Sequence, residues 1–368
     1  MSGGAAHGLG GRLRFGLGGL SAQSTTATRD GSHAAIRQTI DIAVLAERCG
    51  FDGVWVTEHH FVDDGYLPSP LLMLAAIAER TESVRIGTQV LLAPLYSAIK
   101  LAEDAAVLDQ LSGGRLVLGL GLGYQDREYA AFGTSRGRRV RQLERCVSAM
   151  RAMSAELPID IGPDYDPGVQ IRPLPYTLDG PRVWIGAMSE PGVRRAARIA
   201  DGFVAPMMSI SAFRRRLDWL RDEGVRRQFD LGIYVHAFVA ERGAWRLASA
   251  GISYVEGQYG RWQQAHSDFA NLHTVDRTDM SQPPSHVIVG TPEEVAERLA
   301  PWCDALAELD GDGERNVIVR LTYPGVDPGA ARDSVELFAT RVKPLLGAAS
   351  LNNTVGRLDP VDLPRTAQ

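Results

Sequence analysis

Cysteine is scarce in this sequence: Cys49, Cys146 and Cys303 stand far apart and are odd in number. That excludes a disulfide scaffold and a paired-cysteine metal site, and leaves small core residues of a reducing, cytoplasmic protein as the expectation. No run approaches the ~18 apolar residues of a membrane span. No apolar segment follows a basic start at Met1 to Gly11, so a secretory leader is not expected. Charge of one sign is lacking as well. The 39 basic and 44 acidic side chains give a net charge of −5, which offers no global attraction to nucleic acid or an anionic membrane. HExxH, GxSxG, P-loop and Cys–His signatures are absent. Glycine is plentiful at 39, but without the three-residue period of collagen.

What is present is the composition of a globular enzyme: 368 residues, 45% hydrophobic and 23% charged. Length alone suggests two domains or one enlarged barrel. Short apolar runs alternate with amphipathic stretches in register. Strands are expected at Leu13 to Leu17, Val54 to Val56, Val84 to Leu92, Leu116 to Leu120, Val183 to Gly186, Phe203 to Ala205, Leu231 to Val239 and Val317 to Leu321. Each is followed by a helical pattern, from Ala34 to Cys49 through to Ala330 to Leu345. Eight such units close into a single (β/α)₈ barrel, with a doubly wound open sheet as the alternative. A less regular stretch of about 242–286, holding Trp245, Tyr254, Tyr259 and Trp262, reads as an insertion after strand 7 that covers one end of the barrel. The domain then spans 13–347, between an N-terminal extension, 1–12, and a frayed tail, 348–368.

In such a barrel chemistry collects where the strands end. After the second strand stand Glu58, His59 and His60. Strand geometry sends Glu58 and His60 one way and His59 the other, so one imidazole can face a given cavity as a proton relay. The bland reading makes both histidines loop-fixing hydrogen-bonders. No metal is expected, since His7, His33, His236, His266, His273 and His286 form no ligand spacing. The fourth strand runs into Gly119, Gly121 and Gly123. Tyr124 occupies the last glycine of a GxGxxG and no helix opens at once, so the dinucleotide reading fails. Alternate glycines let a flat ligand or another backbone approach closely, or simply relieve crowding. At Gly186-Ala187-Met188-Ser189-Glu190 a small-residue turn leads into a helix start. There Ser189 is either an N-cap or an anion ligand. Thr291 before Pro292 reads as a structural N-cap. The arginines of Arg136 to Arg141 read as bland, and those of Phe213 to Arg227, mixed with acids, as a solvated face.

Glu58-His59-His60-Phe61, Ile86-Gly87-Thr88, Ala102-Glu103-Asp104, Leu108 to Arg115, Phe132-Gly133-Thr134 and Val289 to Glu294 together resemble the bacterial luciferase-like flavin oxidoreductases, from Phe15 to about Leu346. The resemblance implies a barrel that binds reduced FMN at the strand C-termini, uses O₂, and receives its flavin from a separate reductase. It also implies a non-proline cis peptide between Gln89 and Val90, packed against the flavin ring. His59 matches the family's catalytic histidine and His60 its neighbour. Gln89, Val90, Gly121, Leu122, Gly123, Tyr124, Ala187, Met188, Ser189 and Glu190 fall at cofactor-lining positions, which moves Ser189 toward phosphate binding. The sequence departs from the luciferases at their phosphate arginine, Leu122 here, at their reactive cysteine, Gly121, and at the phosphate turn, Gly186 and Ala187.

The expectation is therefore a monooxygenase dependent on reduced FMN, acting with O₂ on a small, largely apolar molecule, of a kind suited to secondary metabolism. His59, His60 and Glu58 would be its catalytic group, and a homodimer its assembly. The alternatives are an F420-dependent hydride-transfer enzyme and a non-catalytic flavin-binding barrel.

Overall fold

The computed structural model describes residues 12–347 except 27, 164, 167, 226, 227 and 265–281. The expected tail at 348–368, nearly all of the extension at 1–12, and His7, His266 and His273 lie outside the described residues. Strands β1 (Leu13–Leu20), β2 (Gly53–Val56), β3 (Arg85–Leu92), β4 (Leu116–Gly121), β5 (Arg182–Gly186), β6 (Gly202–Ala205) and β7 (Asp230–Val239) pair in parallel, each with the next. A short strand, β8 (Ile288–Gly290), precedes β9 (Arg315–Arg320). β9 pairs with both β7 and β1, which closes an eight-stranded barrel. The single (β/α)₈ barrel is thus the fold.

Between the strands run α1 (Arg29–Arg48), α2 (Pro70–Arg80), α3 (Ala98–Ser112), α4 (Asp126–Ala131), α5 (Arg139–Ser154), α6 (Glu190–Ile199), α7 (Ile210–Asp222), α8 (Ala244–Gln264), α9 (Pro292–Leu306) and α10 (Pro328–Leu337). Their ends follow local chemistry. The Thr28 side chain accepts from Gly31 N–H at the start of α1, and Thr291 and Glu294 form a reciprocal capping box on α9. Gly113, at φ +61°, ends α3 in the left-handed conformation. Cys146 and Cys303 lie buried in the core between helices and sheet, and burial pushes both thiols up to about 12. Among the described residues no helix is long and apolar enough to cross a membrane.

The stretch 242–286 departs from the sequence reading. Residues 244–264 form one regular helix, and β8 beyond it lies outside the barrel, pairing among the described residues only with the extension Ala237–Val239 of β7. Its apolar residues were obscured because α8 buries two kinds of surface. Ala248, Ile252 and Val255 pack on Phe238 and Val289, whereas Tyr259 and Trp262 turn toward the barrel mouth.

Inside the barrel, the lower layer is filled by two indoles. Trp55 and Trp184 stack with centroids 4.8 Å apart, ringed by Val117, Val204 and Ile318. Burying each is worth about 4 to 6 kcal/mol as an upper bound. A Cβ at Gly16 or Gly87 would stand 2.4 or 2.3 Å from the Trp55 ring, so glycine is needed there for the indole to fit. Beneath the indoles, Arg14, Asp52, Arg85 and Glu314 tie the N-terminal ends of β1, β2, β3 and β9 by ion pairs. That end is packed shut, and the open volume is left at the C-terminal ends.

Candidate active site

The end of β2 carries two buried carboxylate–histidine pairs. Glu58 Oε1 accepts from His60 Nε2 at 2.8 Å and from the Tyr96 hydroxyl at 2.7 Å, and its Oε2 accepts from Leu92 N–H at 2.6 Å. Glu58 therefore locks β2 to the end of β3. His59 turns the other way. Its Nδ1 lies 3.0 Å from Glu128 Oε1, which also accepts from His60 N–H at 2.9 Å. A carboxylate only accepts, so this shorter contact assigns the His59 proton to Nδ1 over the competing amide Gln125 Nε2 at 3.2 Å, and leaves Nε2 toward Tyr124, whose hydroxyl is 3.4 Å away. Tyr66, Tyr124, Tyr259 and Trp262 surround the ring. Burial pushes the Tyr124 and Tyr259 phenols well up, so both stay protonated donors at neutral pH.

The end of β3 forms a shelf. The Gln89–Val90 peptide is cis, and pairing with β4 shifts register between Thr88 and Leu91. The shelf dictates the glycines opposite it. A Cβ on Gly119 would lie 2.2 Å from Thr88 O, one on Gly121 2.4 Å from Val90 Cγ2, and one on Gly186 2.7 Å from Val90 Cγ1. These glycines admit a neighbouring strand's backbone and the Val90 side chain, which they hold in the cavity wall. Gln89 Oε1 is buried there without a hydrogen-bond partner.

The third part is the turn from β5 into α6. Ser189 is the N-cap residue, yet its side chain makes no capping hydrogen bond. Three arginines line the same cavity, Arg139 of α5, Arg195 of α6 and Arg216 of α7. Arg195 Nε is held by Glu144 at 2.9 Å, and Arg216 donates to Met188 O and Ala212 O. Arg216 Nε is buried with no partner. The sequence reading placed Arg216 on a solvated face and passed over Arg139. Only the packing of α5 and α7 around the barrel brings these side chains to the cavity. A signal was available for Arg216 alone, whose spacing from Phe213 and Leu217 puts it beside the buried face of α7.

These walls enclose a cavity of about 600 Å³, within the ~300–1,000 Å³ range of small-molecule sites. Glu58, His59, Gln89, Val90, Gly121, Leu122, Gly123, Tyr124, Ala187, Met188 and Ser189 all line it. His60 and Glu190 do not reach the wall. His60 alternates away from His59 and gives its Nε2 to Glu58, and Glu190 lies on the exposed first turn of α6, paired with Arg194 at 2.8 Å. The cavity also takes in residues that sequence reasoning missed. Tyr234 and His236 come from β7, Glu256 from α8, and His286 from the segment before β8, while Tyr259 of α8 comes from the stretch expected over the barrel end. Glu128, outside the wall, was missed because it is separated from His59 by 69 positions and lies on a short helix without an apolar period. Polar ties fix α8 over the mouth. Tyr254 and Gln258 donate to Asp64 at 2.8 and 2.9 Å, and the Tyr66 and Tyr259 hydroxyls are 2.7 Å apart. Among the described residues no cluster of three His, Cys, Asp or Glu side chains could hold a metal ion.

Residues 9–308 match the family described as luciferase-like monooxygenase. The chain is 30% identical over 163 residues to the oxygenase component of the flavin-dependent trigonelline monooxygenase of Acinetobacter baylyi, a stretch covering 41% of this chain and 42% of that protein. The chain spans about half or less of the length of the first curated relatives it matches. Among solved structures, the oxygenating constituent of 3,6-diketocamphane monooxygenase from Pseudomonas putida, in complex with FMN, superposes with a TM-score of 0.72 at 21% identity, over 91% of this chain and 98% of that one. An F420-dependent secondary alcohol dehydrogenase superposes with a TM-score of 0.67 at 17% identity, over 90% and 98%. At such identities the structural likeness is one of fold.

Proposed function

Since the chain belongs to the luciferase-like monooxygenase family, we propose that it is the oxygenase component of a two-component monooxygenase that uses reduced FMN and O₂ on a small organic substrate. The observation that carries this reading is the convergence, on one cavity, of the Gln89–Val90 shelf, the arginine-rich β5 turn and the His59–Glu128 pair.

The residues present fit the cofactor. Val90 and Gly121 offer an apolar, close-approach surface for a flat ring, and Gln89 Oε1 is an orphaned acceptor for a ring N–H. At the other end, Ser189, the N-terminus of α6 and the unpartnered Arg216 Nε, with Arg139 and Arg195 nearby, suit a phosphate. This replaces the single arginine that Leu122 lacks. Bound reduced flavin supplies the electrons for oxygen activation. His59, fixed in its Nδ1–H tautomer by Glu128, presents Nε2 as a proton acceptor or relay. Glu58, in the wall, and His60, behind it, act as positioning residues, and α8 keeps water from the mouth. A separate reductase would supply the flavin.

Exposed apolar side chains Ile36, Leu72, Val107 and Leu111 on the neighbouring helices α1, α2 and α3 support a homodimer through that face. The test of the function is anaerobic titration with photoreduced FMN, followed by oxygen. Tight FMN binding and substrate-dependent suppression of H₂O₂ release are expected. Binding of F420 with no affinity for FMN would overturn the reading in favour of hydride transfer. Tight FMN binding with no substrate-dependent turnover in wild type would favour a non-catalytic barrel.

A further inference from the structure

We propose that Glu256 and His236 form a second base in the cavity, and that His236 Nε2 takes a proton from a substrate bearing an acidic hydroxyl, a phenol or an enol. This rests on the reading of the cavity as a monooxygenase substrate site and names the substrate's chemistry within it.

His236 Nδ1 lies 3.0 Å from Glu256 Oε1, and His286 Nε2 lies 3.0 Å from Glu256 Oε2, with all three residues in the cavity wall. Burial alone would raise the Glu256 carboxyl, but hydrogen bonds from both imidazoles hold it well below the usual range. It is therefore a carboxylate, an acceptor only, and each histidine donates to it. Burial lowers His236 although Glu256 opposes the shift, so at neutral pH the ring is neutral, with its proton on Nδ1 and a lone pair on Nε2. Among the described residues no group hydrogen-bonds Nε2, and it is not sealed away, so it remains open to the cavity.

The groups facing this ring are consistent with making an anion. Tyr234 stands edge-on at 5.0 Å and Tyr323 at 6.1 Å, while the fully buried Arg320 of β9 brings positive potential. Arg320 Nη1 has no hydrogen-bond partner. In the step, the substrate O–H bond breaks and an N–H bond forms at Nε2. The ring's new positive charge sits beside the Glu256 carboxylate, and the negative charge stays on the substrate oxygen and is shared with its ring or double-bond carbons. Total charge is unchanged, and the substrate carbon becomes electron-rich.

The test uses 4-nitrophenol, whose ionisation changes its colour, and its methyl ether, 4-nitroanisole, with the full-length protein. Wild type should bind the phenol as the anion below the pH at which it ionises in water, and should bind the ether at least about tenfold more weakly, the loss expected for a charged hydrogen bond. His236→Gln and Glu256→Gln should abolish or reduce this ionisation while FMN affinity persists. Equal binding of phenol and ether, no binding of the phenol, or ionisation unchanged in His236→Gln would each overturn the proposal. If His236→Gln fails to fold, the Glu256→Gln variant and the ether comparison decide. Loss of FMN binding by wild type would instead refute the monooxygenase reading, so the two failures are distinguishable.

Discussion

His59 Nδ1 and Glu128 Oε1 are 3.0 Å apart across 69 residues of chain, both side chains buried. This contact fixes the tautomer of the imidazole at the cavity, and Glu128 secures it further by binding His60 N–H. It is the point at which β2 and the β4–α4 segment become one site.

Replacing Glu128 with Gln removes the charge that holds the Nδ1–H tautomer while nearly keeping shape. Turnover is expected to fall by about 10²-fold or more, the scale of a lost general acid–base contribution. FMN affinity should change by less than about threefold. Steady-state rates beside a fluorescence titration of FMN measure both, and equal losses in each would mean that the residue is structural.

Arg216→Met leaves the α7 stem packed but removes the buried, unpartnered Nε. FMN binding should weaken by about tenfold or more, as expected for hydrogen bonds to a charged group, whereas riboflavin, which lacks the phosphate, should bind as before. Parallel titrations with the two flavins are decisive. A matched loss for both would remove Arg216 from the phosphate site.

Gly119→Ala would drive a methyl group to 2.2 Å from Thr88 O, in a strand that cannot retreat without moving the Gln89–Val90 shelf. A loss of about 1 to 3 kcal/mol in urea unfolding is expected, together with loss of flavin binding. Gly113→Ala meets no neighbour within 4 Å but sits at φ +61°. It should cost about 1 kcal/mol and leave flavin binding intact. If the two variants bind flavin equally, the shelf is not the ring's support.

The Glu256 cluster sets a pH dependence of stability. His236 is lowered by burial, so the unfolded chain takes up a proton first as pH falls below about 6.5, the ordinary histidine value. Glu256 is lowered too, so its stabilisation is present above the ordinary carboxyl range and is lost as pH falls through and below it. Both signs agree: the melting temperature should fall continuously from near neutrality toward pH 4. Glu256→Gln should flatten the lower part of that curve, and a melting temperature that rises on acidification would contradict the assignment.

Several features were legible in the residues alone. Alternating strand and helix periods gave eight units in register, because burial on both faces of a parallel strand and on one face of a helix leaves a local signature. Glu58, His59 and the glycines of β4 stood out because they follow strands directly, and strand alternation separated His59 from His60 before any contact was known. Other features depend on contacts distant in the chain and have no local period. Glu128 becomes a partner of His59 only when α4 folds against the end of β2. Arg139 and Arg216 look like solvated charges until α5 and α7 bring them to the cavity wall. Helix α8 reads as irregular because its two ends face different surroundings, a core beside β7 and β8 and an aromatic roof over His59. The sequence by itself determined the barrel and the strand ends where chemistry gathers. The tertiary structure decided which carboxylate orients which histidine, which arginines face the cavity, and that Glu256 sits between His236 and His286, since those relationships arise from packing between distant elements rather than from any local pattern.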